Sequence, residues 1–141
     1  MSKLFKLRKP ATDQLLIIGI VSTESDYKVS WTINQSLHIH LTRSHNIKLP
    51  NTKTGIISEF PLYLLEDEKN QIKYFLIKNR NENLCYIDEL KKFDYLFFLQ
   101  GEISEIDKNL LLIQIKSFTI LSSSFYINPQ IIKNQDKIIL F

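Results

Sequence analysis

Glycine is scarce in this chain of 141 residues, where it occurs only as Gly19, Gly55 and Gly101. Loops that bind phosphate through their backbone need glycines close together, and neither a G-x-G-x-x-G nor a P-loop pattern is present. The isolated glycines therefore exclude the common nucleotide-binding motifs.

Cysteine is rarer still, because Cys85 is the only one. A single thiol excludes an intrachain disulfide and predicts a reducing, cytoplasmic compartment. The apolar run over residues 15 to 21 is too short, and begins too far into the chain, for a signal peptide. No stretch reaches the roughly 18 consecutive apolar residues that span a bilayer, so we expect no association with a membrane.

Arginine is also sparse, and the net charge of +3 is unevenly distributed. Four cationic residues lie among the first ten, and the rest of the chain has a net charge of −1 without them. Residues 1 to 12 have no clear hydrophobic period and contain Pro10. We predict a flexible basic arm over residues 1–12 and a single domain over residues 13–141. The cationic residues of the arm are Lys3, Lys6, Arg8 and Lys9.

Apolar residues are plentiful at 44%, with nine Phe and six Tyr, and their runs indicate mainly strands. The continuous run over residues 15 to 21 is typical of a strand buried on both faces. Residues 56–65 and 71–78 flank a short polar turn, which predicts a β-hairpin. Residues 93–99 and 118–127 predict two further strands.

The segment over residues 27 to 37 fits two structures. Its apolar residues alternate between Tyr27 and Ile33, which favours a strand. Tyr27, Ile33 and Leu37 fit one face of a helix equally well, and the polar residues 22–26 just before them are typical of helix caps. We predict a helix.

A second helix is predicted over residues 105 to 116. Ser104 and Asp107 have the spacing of a capping box, with Ser104 as the N-cap. Two helices among several antiparallel strands predict an α+β domain, with a mostly antiparallel sheet of five to six strands and both helices packed on one face. The apolar residues of the expected inward face of the second helix are Ile106, Leu110 and Ile113.

Histidines are the first candidates for a metal site. His38 and His40 lie two apart in the alternating run over residues 37 to 42, which predicts a half-buried strand with both rings on one face. His45 would be a third ligand from the following loop. This face is the polar one, and no carboxylate or cysteine follows at ligand spacing, so we interpret all three as exposed residues. We predict no metal and no cofactor.

The richest group of candidate functional residues comprises Ile87, Glu89, Asp94 and Tyr95, next to the apolar residues 95–99. A carboxylate beside a buried strand is costly unless it is hydrogen-bonded or paired. Glu89 and Asp94 would serve as a general acid/base pair or cation site, with Tyr95 as a donor, if the group were functional. In the structural interpretation, which we favour, Asp94 accepts backbone N–H groups of a neighbouring loop and Tyr95 fills the core.

These four residues resemble the signature of the bacterial IPExxxVDY family. Asp88 stands in the place of the proline of that signature, and Phe93 stands in the place of its valine. The resemblance is centred on residues 84–101. It implies membership of a family without an established activity, so it implies no reaction and no ligand.

The sequence therefore predicts a protein that is not an enzyme. We expect a protein-binding or structural domain with a protein partner or a homodimer, for which the apolar residues 138–141 offer a contact. RNA or the ribosome is the alternative partner, bound by the four cations of the arm. Tyr74 and Phe75, which lie between lysines, would add a surface on which bases stack.

Overall fold

The computed structural model of the chain describes residues 15–50, 53–104 and 106–138. The predicted basic arm, with Lys3, Lys6, Arg8 and Lys9, lies outside these residues, as does the end of the apolar tail after Ile138.

Ten strands occur in the described part of the chain, and six of them form one antiparallel sheet. The order in this sheet is β10-β1-β9-β6-β5-β2, while β3 pairs with β4 and β7 with β8. The strands are β1 (Leu15–Ile20), β2 (Thr42–Arg43), β3 (Ile47–Pro50), β4 (Ile57–Phe60), β5 (Leu62–Asp67), β6 (Ile72–Lys78), β7 (Arg80–Asn81), β8 (Leu84–Cys85), β9 (Tyr95–Gly101) and β10 (Ser124–Ile127).

Two α-helices, α1 (Asp26–Leu37) and α2 (Lys108–Lys116), pack on one face of this sheet. The Ser25 hydroxyl caps α1 by accepting the backbone N–H of Lys28 at 3.2 Å. Val29 and Ile33 are fully buried in the same cluster as alternate residues of β1 and β9. The α+β fold and the first helix predicted from the sequence are therefore confirmed, and we call this side the helix-covered face.

The opposite side, which we call the loop-covered face, carries a second core. The remaining alternate residues of β1, Leu15 and Ile17, pack there against irregular segments of the chain. Because β1 contributes to both cores, all six of its residues are buried, which explains its continuous apolar run. These segments and the end of strand β4 contribute Phe60, Tyr86, Ile87, Leu90, Phe93, Ile132 and Ile138.

Two of the longer predicted strands are shorter in the structure. The strand over residues 56–65 is divided at Pro61, so that β4 and β5 belong to different sheets. Proline cannot donate a hydrogen bond to a neighbouring strand, which interrupts the pairing there. The strand over residues 118–127 is confined to β10, because residues 119–121 form a 3₁₀ turn. The hairpin predicted from residues 56–65 and 71–78 is present as the pair of β5 and β6.

The strand predicted over residues 37–42 is wrong for most of its length. His38 ends α1 in the left-handed region, with φ 57°, and its N–H donates to the Asn34 carbonyl. Only Thr42 of this run enters the sheet, where it pairs with Leu64. His38, His40 and His45 are exposed, and the described residues contain no cluster of three or more side chains suited to a metal ion.

The second helix begins later than predicted and turns a different face inward. Its N-cap is Asp107 rather than Ser104, since the Asp107 carboxylate accepts the backbone N–H of Leu110 at 3.1 Å. Leu111 and Ile115 are its buried residues, whereas Leu110 is 53% exposed. Ile113, also predicted to be buried, is 65% exposed. Apolar residues occur on more than one side of α2, so periodicity does not determine which side packs.

Candidate functional site

Asn79 organises the residues between Tyr86 and Asp94, which we call the motif loop. Its side chain is completely buried, and its Nδ2 donates to the carbonyls of Leu90 and Phe93, each at 3.0 Å. Its Oδ1 accepts the backbone N–H of Ile87 at 2.8 Å. One amide thus satisfies three backbone groups of a loop that has little regular structure. Sequence patterns do not single out Asn79, because it opens a polar run that is typical of an exposed turn.

Asp94 attaches the end of the motif loop to the segment that follows β1. Its Oδ2 accepts the backbone N–H of Ser22 at 2.9 Å, and its own N–H donates to the Ile20 carbonyl at 2.9 Å. The Arg80 guanidinium lies 3.9 Å from Oδ1, but that side chain is half exposed, so water screens the pair. The geometry therefore indicates that Asp94 acts mainly through its hydrogen bonds to backbone groups.

Glu89 attaches the other part of the motif loop to the C-terminal segment. Its Oε2 accepts the backbone N–H of Lys133 at 2.5 Å. This hydrogen bond, followed by one from its own N–H, lowers the pKa of Glu89 from its usual value. The carboxylates of Glu89 and Asp94 thus bind different segments of the chain. An acid/base pair would need both carboxylates directed at one reacting group, and their contacts do not provide this.

Tyr95 and Ile87 are core residues, each 1% exposed. The Tyr95 hydroxyl donates to the Glu24 carbonyl at 2.5 Å, and burial, with smaller effects from Asp26 and Asp94, raises the pKa of Tyr95. A second tyrosine of the helix-covered face, Tyr63, donates to the Asp26 carboxylate at 2.8 Å. Both phenols therefore act as buried donors that hold the start of α1 against the sheet.

An open groove of about 470 Å³ separates the motif loop from β10. The motif loop, from Glu89 to Phe93, forms one wall. Strand β10 and the turn after it, as far as Ile131, form the other wall, and Val21 also lines the space. This groove is the candidate functional site, because it brings the motif together with apolar surface that the protein leaves open.

The apolar residues of the groove remain accessible. Phe125 is 50% exposed, Ile131 49% and Val21 42%. The Phe93 ring lies 6.2 Å from that of Phe125 and packs over Gly19, where an added Cβ would come within 2.6 Å of the ring. Sequence reasoning misses this surface, because its members are separated by up to a hundred residues and no local pattern connects them.

The two motif carboxylates connect the segments that line this groove: Glu89 is itself a lining residue, whereas Asp94 is not. Ser22, bound by Asp94, directly follows Val21, and Lys133, bound by Glu89, comes two residues after Ile131. The motif loop is thereby connected to both of the other segments that line the groove. The shape of the groove depends on these hydrogen bonds.

The base-stacking surface expected on β6 is not available. Phe75 is 2% exposed, and Tyr74 stacks on Phe97 with ring centroids 6.1 Å apart. Both aromatic residues belong to central packing, because β6 lies between β5 and β9 in the sheet. The most exposed aromatic residues described are instead Tyr27 and Trp31 on α1, at 71% and 51%.

Neither described α-helix has the length and apolar character needed to cross a membrane. Comparison of the chain with protein-family models, with curated proteins and with solved structures found no match in any of the three. The resemblance of residues 87–95 to the IPExxxVDY signature therefore stays a prediction.

Proposed function

We propose that this protein is a non-catalytic, cytoplasmic protein-binding domain of the IPExxxVDY type, and that the groove is its binding site. One observation carries the proposal. Three half-exposed apolar side chains, Val21, Phe125 and Ile131, converge on a single hollow whose sides are joined by the motif carboxylates. If the motif residues shape a binding surface, no catalytic role is needed to account for them.

The energy available from this groove suits a binding site. Complete burial of an aliphatic or aromatic side chain contributes about 1.5–3 kcal/mol, and these three are already half buried. Covering them therefore contributes roughly 2–4 kcal/mol together. Aromatic side chains in preformed hollows are typical centres of protein–protein interfaces, and Phe125 with Phe93 supplies such a centre.

The proposal is tested by affinity capture from the native cell, with Phe125→Asp and Ile131→Asp compared with the unaltered chain. A carboxylate in the groove opposes burial under a partner, so we expect at least one captured protein to be lost from both variants. Ile57→Asp is the matched control, because Ile57 is 57% exposed on β4 and does not line the groove. Circular dichroism shows that each variant is folded.

Identical sets of captured proteins from the groove variants and the unaltered chain would contradict the proposal. So would loss of the same partners from Ile57→Asp, since that would place the contact elsewhere.

RNA is the alternative partner, favoured by the four cations among the first ten residues. Deletion of residues 1–9 separates the two proposals. If the groove is the site, the deletion leaves the captured proteins unchanged. If the arm binds RNA, the full chain retains RNA at low salt but not at high salt, and the deletion abolishes this retention.

A further inference from the structure

The groove has a charged margin as well as an apolar interior. The Lys92 Nζ lies 5.2 Å from the centroid of the Phe93 ring, and the Lys116 Nζ lies 5.7 Å from that of Phe125. An ammonium within about 6 Å of a ring centroid is attracted to the face of the ring. Lys116 is therefore held beside Phe125, the exposed ring on which a partner would rest, and Lys92 beside Phe93, which is buried in the adjoining wall.

The carboxylate that lines the groove does not cancel this positive charge. Glu89 already accepts the Lys133 N–H, and the charges of Lys133 and Lys137 also act on it. Glu89 is also the one acidic side chain that the structure describes in the lining of the groove, so it does not neutralise both lysines. Lys92 and Lys116 have no carboxylate partner within 4.0 Å among the described residues.

We propose that the groove selects a segment of a partner protein in which an apolar anchor is flanked by Asp or Glu. This rests on the proposed function of the groove and adds the chemistry of the partner. The apolar anchor covers Val21, Phe125 and Ile131, while the flanking carboxylates meet the ammonium groups of Lys92 and Lys116. Opposite charges at the margin of an interface speed association and exclude partners with the wrong charge.

A second copy of this chain is a poorer occupant. In a symmetric dimer both copies would present the same surface, so two cationic margins would be brought into one interface. Like charges placed opposite each other in an interface oppose association. Acidic flanks on a different protein meet no such repulsion.

The test is a selection of random twelve-residue peptides displayed on phage against the full chain. Selected peptides are synthesised with a fluorescent label, and their affinities are measured by anisotropy. We expect an apolar centre with an excess of Asp and Glu, and at least tenfold weaker binding to Phe125→Asp. Reversal of charge in Lys116→Glu or Lys92→Glu should weaken binding about fivefold each, and added salt should reduce that difference.

Lys69→Glu is the matched charge control, because Lys69 is exposed in the turn between β5 and β6 and does not line the groove. It should change the affinity less than twofold.

The outcomes distinguish the two proposals. The inference is wrong if the selected peptides need Phe125 but show no excess of Asp and Glu, or if they bind the lysine variants with unchanged affinity. In either case the groove is still a binding site. A selection without any peptide that depends on Phe125 overturns both. The inference is also wrong if the chain forms a dimer and Phe125→Asp abolishes that dimer, because the occupant of the groove is then a second copy.

Discussion

The two faces of the central sheet are covered in different ways. On the helix-covered face, α1 and α2 satisfy their own backbone groups, and their apolar residues Val29, Ile33, Leu111 and Ile115 complete the core. On the loop-covered face, the motif loop has little regular structure and depends on side chains of Asn79, Glu89 and Asp94. The helices cover their face mainly with apolar side chains, whereas the loops need particular polar residues and leave a groove between them.

The largest effect should come from Asn79→Ala on the loop-covered face. The substitution leaves the Phe93 carbonyl and the Ile87 N–H without their side-chain partner in a buried site, while the Leu90 carbonyl keeps only the Phe93 N–H; each unsatisfied group costs about 1–3 kcal/mol. We expect a loss of roughly 3–5 kcal/mol in the free energy of unfolding, measured with urea.

Ser36→Ala is the control for Asn79→Ala on the opposite face, since Ser36 is buried and donates one hydrogen bond to the Gln114 carbonyl. It should cost about 1 kcal/mol. Equal losses for the two variants would show that the faces do not differ in their dependence on polar side chains.

A smaller effect is expected from Gly19→Ala, which tests how closely the motif loop approaches β1. The new Cβ would lie 2.6 Å from both the Phe93 ring and the Ile127 side chain. Overpacking of this kind costs about 1–3 kcal/mol, measured by urea unfolding.

Phe93→Leu should recover part of the stability lost in Gly19→Ala, because a smaller side chain makes room for the added methyl. If the two substitutions are instead additive, Phe93 does not rest on Gly19 as the structure shows.

The smallest effect concerns the pH dependence that Glu89 contributes. Its pKa is lowered in the folded state, so its contribution to stability is present above the unfolded pKa near 4.5 and is lost as the pH falls through the lower folded value. The unaltered protein should therefore lose more stability than Glu89→Gln between pH 6 and pH 3. Urea unfolding at several pH values measures this difference.

Asp88→Asn removes a charge from the same turn without touching the contact to Lys133, so it should retain the pH dependence of the unaltered protein. A Glu89→Gln variant that loses as much stability in acid as the unaltered chain would contradict the contact between Glu89 and Lys133.

The difference between the faces also explains what the sequence could predict. The apolar run of β1, the hairpin of β5 and β6, and helix α1 follow from periodicity and turn residues, which act over short distances in the chain. The inward side of α2 could not be predicted, because Leu110 and Leu111 are equally apolar and only packing decides between them. The sheet order could not be read from local patterns either.

The candidate site was accessible to sequence reasoning only in part. Asp94 and Tyr95 stand out because a carboxylate and a phenol adjoin a buried strand. Asn79, which holds the loop together, resembles any turn asparagine until its burial is known. The groove forms only where four residues from distant parts of the chain lie close together, and the tertiary fold determines that proximity. These residues are Val21, Phe93, Phe125 and Ile131.

The order of strands has a consequence for synthesis of the protein. β1 pairs with β9 and β10, both of which are synthesised after it, and Asp94 binds the backbone of Ser22, 72 residues earlier in the chain. A nascent chain that has not yet reached Ser124 already contains the entire motif but lacks the second wall. A partner that needs the groove would therefore bind only after β10 and the turn as far as Ile131 have left the ribosome.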